Sequence, residues 1–132
     1  MLNLRSKAQE IQQQLVEIRR WFHENPELSF QEFKTAERIA EILREYGIEV
    51  QEQVGKTGVV GILKGGKPGK VVALRGDIDA LPIIEVNEVS YKSKFEGLMH
   101  ACGHDSHATS LLGAAILLSE VKDEIQGTVK FI

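Results

Sequence analysis

The sequence has a single cysteine, three prolines and one tryptophan in 132 residues. One cysteine excludes an internal disulfide and fits a reducing compartment, so a cytoplasmic protein is expected. No apolar run reaches the roughly 18 residues that a membrane-spanning helix needs. The first residues are polar and Gln-rich, unlike the apolar core of a signal peptide. No excess or cluster of positive charge exists: the net charge is −3. Bulk electrostatic grip on nucleic acid is therefore not expected. Repeats and low-complexity segments are also missing. What remains is ordinary soluble composition, 42% hydrophobic and 27% charged, in a length of about one domain. A chain of this size can bury roughly two-thirds of its unfolded surface.

Hydrophobic spacing gives the elements. Leu4, Ala8, Ile11, Leu15, Ile18 and Phe22 recur at helical steps, which predicts a helix over 3–24 stopped by Asn25-Pro26. Ser29 and Glu32 match a capping box for a second helix over 30–46, closed by Gly47. Short strands are expected at 48–50 and 59–63, with a turn between them. The glycine-rich stretch 64–70 reads as a hairpin or tight connection. Val71 to Arg75 is a continuous apolar run of the kind a buried strand shows. Residues 83–98 have no clean period and read as an active-site loop. A mostly apolar helix over 106–121 and a strand from Thr128 complete the order. The expected class is α/β, with helices packed on a mixed sheet. Because the chain stops inside an apolar strand, it reads as a fragment.

The chemistry concentrates in one place. Met99-His100-Ala101-Cys102-Gly103-His104-Asp105-Ser106-His107 holds three of the four histidines and the cysteine. Thiolate and imidazole are strong ligands for zinc and its neighbours. Gly103 lets the backbone turn so that Cys102 and His104 can face one ion. The bland reading makes Cys102 a small buried residue and the histidines surface or capping groups. A third reading is a Cys–His nucleophilic hydrolase, with Cys102 activated at a helix start. Asp77 and Asp79 follow the run 71–75, and an extended backbone points both to one face. They can bind or orient a metal site, or simply form a turn before Pro82. His23 sits at a helix C-terminus, where a histidine commonly compensates the helix dipole.

Three segments together resemble a known family. They are Arg19-Arg20-Trp21-Phe22-His23-Glu24-Asn25-Pro26-Glu27-Leu28-Ser29-Phe30-Gln31-Glu32, Ala73-Leu74-Arg75-Gly76-Asp77-Ile78-Asp79-Ala80-Leu81-Pro82, and the nine-residue cluster itself. In this order they resemble signatures of the amidohydrolase branch of the aminoacylase/carboxypeptidase metallopeptidases. The branch includes N-acyl-amino-acid amidohydrolases, hippurate hydrolases and auxin-conjugate hydrolases.

The resemblance implies that residues 1–132 are the N-terminal part of a three-layer α/β/α zinc-peptidase-like catalytic domain. It implies two divalent metal ions per complete site (Zn, Mn, Co or Ni), with Cys102 and His104 as ligands. Asp79 matches the family's catalytic aspartate, whereas Asp77 stands where the wider superfamily has a ligand histidine. Asp105 and Ser106 are expected to cap the following helix, and His100 and His107 to line the site. The implied reaction is amide hydrolysis of N-acyl amino acids or small peptides, in a homo-oligomer. The general-base glutamate, further ligand histidines and the dimerisation domain are absent, so these residues alone are expected to be inactive. A non-catalytic metal-binding α/β module is the alternative.

Overall fold

A computed structural model describes residues 3–132. The first predicted helix is two: α1 (Leu4–Glu10) and α2 (Gln12–Glu24), broken at Ile11. Asn25 closes α2, its side-chain amide donating to the Trp21 carbonyl at 2.7 Å. Then come α3 (Phe33–Glu45), β1 (Glu49–Val54), β2 (Gly58–Lys64), β3 (Lys67–Leu74), α4 (His104–Ser119), a short 3-10 turn (Lys122–Glu124) and β4 (Gln126–Phe131).

The predicted capping box does not form. Phe30 takes a positive φ of 63°, and α3 starts three residues late. Its first N–H groups are satisfied from upstream instead: Lys34 and Thr35 donate to the Glu27 carboxylate. Glu32 turns inward, and the Thr57 hydroxyl donates to it at 2.6 Å. The other end behaves as expected. Gly47 has φ +69°, and its N–H donates to Arg44 while that of Ile48 donates to Leu43. This is the left-handed helix stop that glycine accommodates at least cost.

The strands form one mixed sheet in the order β1-β2-β4-β3. β1–β2 and β2–β4 pair antiparallel, and β3–β4 parallel. The stretch 64–66 is thus a tight connection and not a hairpin, because β4 lies between the two strands it joins. α3 packs over β1 and β2, and α4 packs against α2 and α3. Val59, Leu63 and Phe131 meet Ile39, Leu43, Leu112 and Ile116 in a single core. Gly61 lets Leu43 and Ile48 approach the β2 backbone, and Gly113 does the same for Leu15 at α4.

The expectation of a buried strand at 71–75 fails. β3 is exposed along its whole length, with Val71 61% exposed. It lies at the edge of the sheet with β4 as its one neighbour. An apolar run reports what a strand can pack against, not what does pack against it.

Gly127 and Gly47 separate steric from conformational cost. Both have positive φ, but a Cβ on Gly127 runs into the Lys70 backbone, whereas one on Gly47 meets nothing within 4 Å. Gly47→Ala is expected to cost about 1–2 kcal/mol, the left-handed penalty alone. Gly127→Ala must in addition force β3 from β4 and should cost clearly more. Urea midpoints of the two variants measure this, and equal losses would contradict the geometry.

Candidate metal centre

The cluster begins at a two-bond backbone bridge. Leu81 and Met99 each donate an N–H to the other's carbonyl at 3.0 Å. The bridge sets the segment before it, 77–80, beside the segment after it, 100–107. Gly103, at φ 98°, then turns the chain into α4, which begins at His104. Ser106 and His107 donate their N–H groups to the Gly103 carbonyl.

Asp79 and His104 meet across this junction. The His104 Nδ1 lies 2.8 Å from Asp79 Oδ1 and 3.1 Å from the Asp79 carbonyl oxygen. Both partners accept hydrogen bonds, so Nδ1 carries the proton and donates. In the neutral ring, Nε2 then keeps a free lone pair. A carboxylate that fixes tautomer and ring orientation is the usual outer support of a metal-binding histidine. Cys102 is a free, exposed thiol two residues away. Among the described residues, no three His, Cys, Asp or Glu side chains gather into a set able to hold a metal ion.

The neighbouring residues divide. Asp77 is engaged by Arg75, which donates to its carboxylate at 2.5 Å. The His107 ring stacks at a tilt 5.8 Å from that of His104. His100 is buried, and neither ring nitrogen has a hydrogen-bond partner. Burial is the main influence on it and lowers its pKa to about 4. Nearby Asp105 and Asp79 oppose that shift, and His23 and His104 add to it. His100 is therefore a neutral ring at pH 7.

Two expectations are corrected here. His23 is not simply a helix-dipole cap; it is buried and bridges two carboxylates. Its Nδ1 lies 2.7 Å from Asp105 Oδ2 and its Nε2 lies 2.9 Å from Glu85 Oε1. Asp105 is not the cap of α4 either, since Gly103 holds that position. The Asp105 side chain is fully buried, and Arg19 Nε donates to Oδ2 at 3.0 Å while the Ser106 N–H donates to Oδ1. Burial of these charges is tolerable only because each meets a partner.

Sequence reasoning missed Arg19 and Glu85. Arg19 carried a signal: it stands four residues before His23 on α2, beside the apolar residues Ile18 and Phe22. Glu85 lies in an aperiodic loop and offered none. Burial pushes the Glu85 carboxyl up. The Ser93 N–H, His23 and Asn87 together outweigh burial and hold the carboxyl below its ordinary 4.5.

The comparisons with known proteins follow the motifs. A carboxylate-oriented histidine thus stands two residues after a free thiol on a helix-covered mixed sheet. Residues 73–132 match the model for Peptidase family M20/M25/M40. The chain is 53% identical over 130 residues to thermostable carboxypeptidase 2 of Saccharolobus solfataricus, covering 98% of this chain and 33% of that protein. It is 52% identical over 118 residues to hippurate hydrolase of Campylobacter jejuni, covering 89% and 31%. Among solved structures it superposes on the Bacillus subtilis YXEP protein, described as a dinuclear metal-binding peptidase of the M20 family. The TM-score is 0.88 at 46% identity, over 93% of this chain and 34% of that one. The chain is thus related to the M20 metallopeptidases and amidohydrolases, as its three motifs imply. It spans about a third of the length of the curated relatives it matches.

The Glu85 environment makes a pH-dependent prediction. Folding lowers this carboxyl's pKa, so its stabilising contribution is full above about pH 4.5 and is lost as pH falls through the depressed value. Glu85→Gln should destabilise by about 1–3 kcal/mol at pH 7, as expected for hydrogen bonds to a buried charge. The gap between wild type and variant, read from urea midpoints, should narrow below pH 4.5. A gap that stays constant down to pH 3 would contradict an ionised Glu85.

Proposed function

We propose that these residues form one wall of a dinuclear metal centre in an enzyme that hydrolyses the amide bond of N-acyl amino acids or small peptides. The observation that carries this reading is the Asp79–His104 hydrogen bond at 2.8 Å, which leaves His104 Nε2 free on a ring two residues after the free Cys102 thiol. Cys102 and His104 are the proposed ligands. Asp79 holds the His104 ring in the binding tautomer. When bound, divalent ions supply an activated water and polarise the scissile carbonyl. The ligand set suits zinc, manganese, cobalt or nickel. A lone thiol that serves as ligand suits a reducing, cytoplasmic setting. No helix among the described residues is long and apolar enough to cross a membrane.

The substrate class rests on the relatives' names, a carboxypeptidase and a hippurate hydrolase. Both names denote cleavage at an amide that leaves a free carboxylate or amino acid. The general-base glutamate and the dimerisation domain that the resemblance implies are not among these residues in this reading. The 132 residues alone are therefore inactive in this reading, and a homo-oligomer belongs to a longer protein.

Cobalt(II) titration of this chain tests the ligand assignment, with the thiolate-to-cobalt absorption band as readout. Cys102→Ser should abolish that band, and His104→Ala should weaken binding at least about tenfold. Asp79→Ala should weaken it by about 10- to 100-fold, the usual effect of losing a ligand's hydrogen-bond partner. Unchanged affinity in both ligand variants would sink the assignment. Metal-dependent release of an amino acid from an N-acyl substrate by the 132 residues would refute their predicted inactivity.

A further inference from the structure

The loop 82–98 is closed at its base by the Leu81–Met99 bridge. Asp79 stands just outside that base on one side, and Cys102 and His104 on the other. The geometry of the proposed metal centre therefore depends on how this base is held. The loop's own contribution to a core is small: Ile84 and Val86 are exposed at 64% and 82%. Polar ties to α2 hold it instead. Glu85 is its one charged residue that is buried, and its carboxylate accepts from the Ser93 N–H at 2.7 Å and from Asn87 at 3.2 Å. The Glu85 oxygen that Asn87 uses is the one that lies 2.9 Å from His23 Nε2. Tyr91 packs edge-on to the His23 ring, at 5.7 Å between centres, and lies under Arg19 and Arg20. Lys94 adds a backbone bond and an exposed ion pair to Glu24.

The same imidazole holds the other side. Its Nδ1 meets Asp105, the residue after His104, in the first turn of α4. His23 thus links the loop and the ligand-bearing turn to one rigid helix, through a different nitrogen for each. We propose that His23 is a positioning residue for the metal centre: it sets the Cys102–His104 turn against Asp79 by fixing both sides of the loop base. This goes beyond the ligand assignment and rests on it for its functional meaning. His23 itself touches neither proposed ligand. Its effect runs through Asp105 on one side and Glu85 on the other.

The test uses the 132-residue chain with His23→Ala and His23→Gln, the latter able to keep one of the two bonds. Two readouts are taken well below the melting temperature. One is cobalt(II) affinity. The other needs no metal: the imidazole nitrogen shifts of His104, which report the Nδ1-protonated ring held by Asp79. A purely stabilising role would lower the melting temperature and leave both readouts of the folded protein unchanged.

His23→Ala is expected to weaken cobalt binding by about 10- to 100-fold and to erase the single-tautomer signature of His104. His23→Gln should fall between. Folded variants with cobalt affinity within about twofold of wild type and an unchanged His104 signature would overturn the proposal. If wild type binds cobalt no better than Cys102→Ser and His104→Ala, the ligand reading fails on its own. The His104 signature then decides: its loss in His23→Ala supports positioning, and its persistence overturns it. Should neither His23 variant fold, Glu85→Gln, which alters the loop side alone, is judged by the same two readouts.

Discussion

A carboxylate buried away from water must be met by donors, and the fully buried Asp105 places that demand at the centre of this chain. Three groups meet it: the His23 ring, the Arg19 guanidinium and the Ser106 N–H. Two of these come from α2, some eighty residues earlier in sequence. The requirement therefore docks α2 onto the start of α4 with a fixed register. Apolar packing between the two helices, such as Leu15 against Gly113, adds area but little directional constraint. The buried charges supply the direction.

That register also determines what the cluster 99–107 can do. α4 begins at His104 because Gly103 takes a left-handed turn, so the ring leaves the helix at its first residue. The Leu81–Met99 bridge brings Asp79 to the same place and fixes which ring nitrogen stays free. Cys102 and His104 are neighbours by sequence. Asp79 becomes their neighbour only through the sheet and the loop base. The other two histidines of the cluster differ in kind: His107 lies on the surface against His104, while His100 is enclosed and uncharged.

Much of this was legible in advance. Helical spacing found α3, α4 and, as one unbroken helix, the stretch of α1 and α2, and the three motifs pointed to the relatives that the chain matches. The failures share one cause. Ser29 and Glu32 satisfied a local capping pattern, yet Glu27 and Thr57 offered the backbone and Glu32 better partners from further away. The run 71–75 had the composition of a buried strand, but within these residues, about a third of the relatives' length, nothing covers β3 and it is exposed. His23 matched a helix-terminal position, although its partners lay at 85 and 105. In each case a nearest-neighbour rule depended on partners that only the fold could supply or withhold.

The sequence by itself determined most element types and the α/β class, and it set Cys102 two residues before His104, because periodicity and short spacing are properties of adjacent residues. The tertiary structure alone decided that His23 bridges Asp105 and Glu85, that Asp77 turns outward to Arg75, and that Asp79 holds the His104 ring. Hydrogen bonds between groups distant in the chain depend on where the backbone brings them, to within a few tenths of an ångström. No local pattern carries that information, since only the closed loop and the docked helices place those atoms within reach.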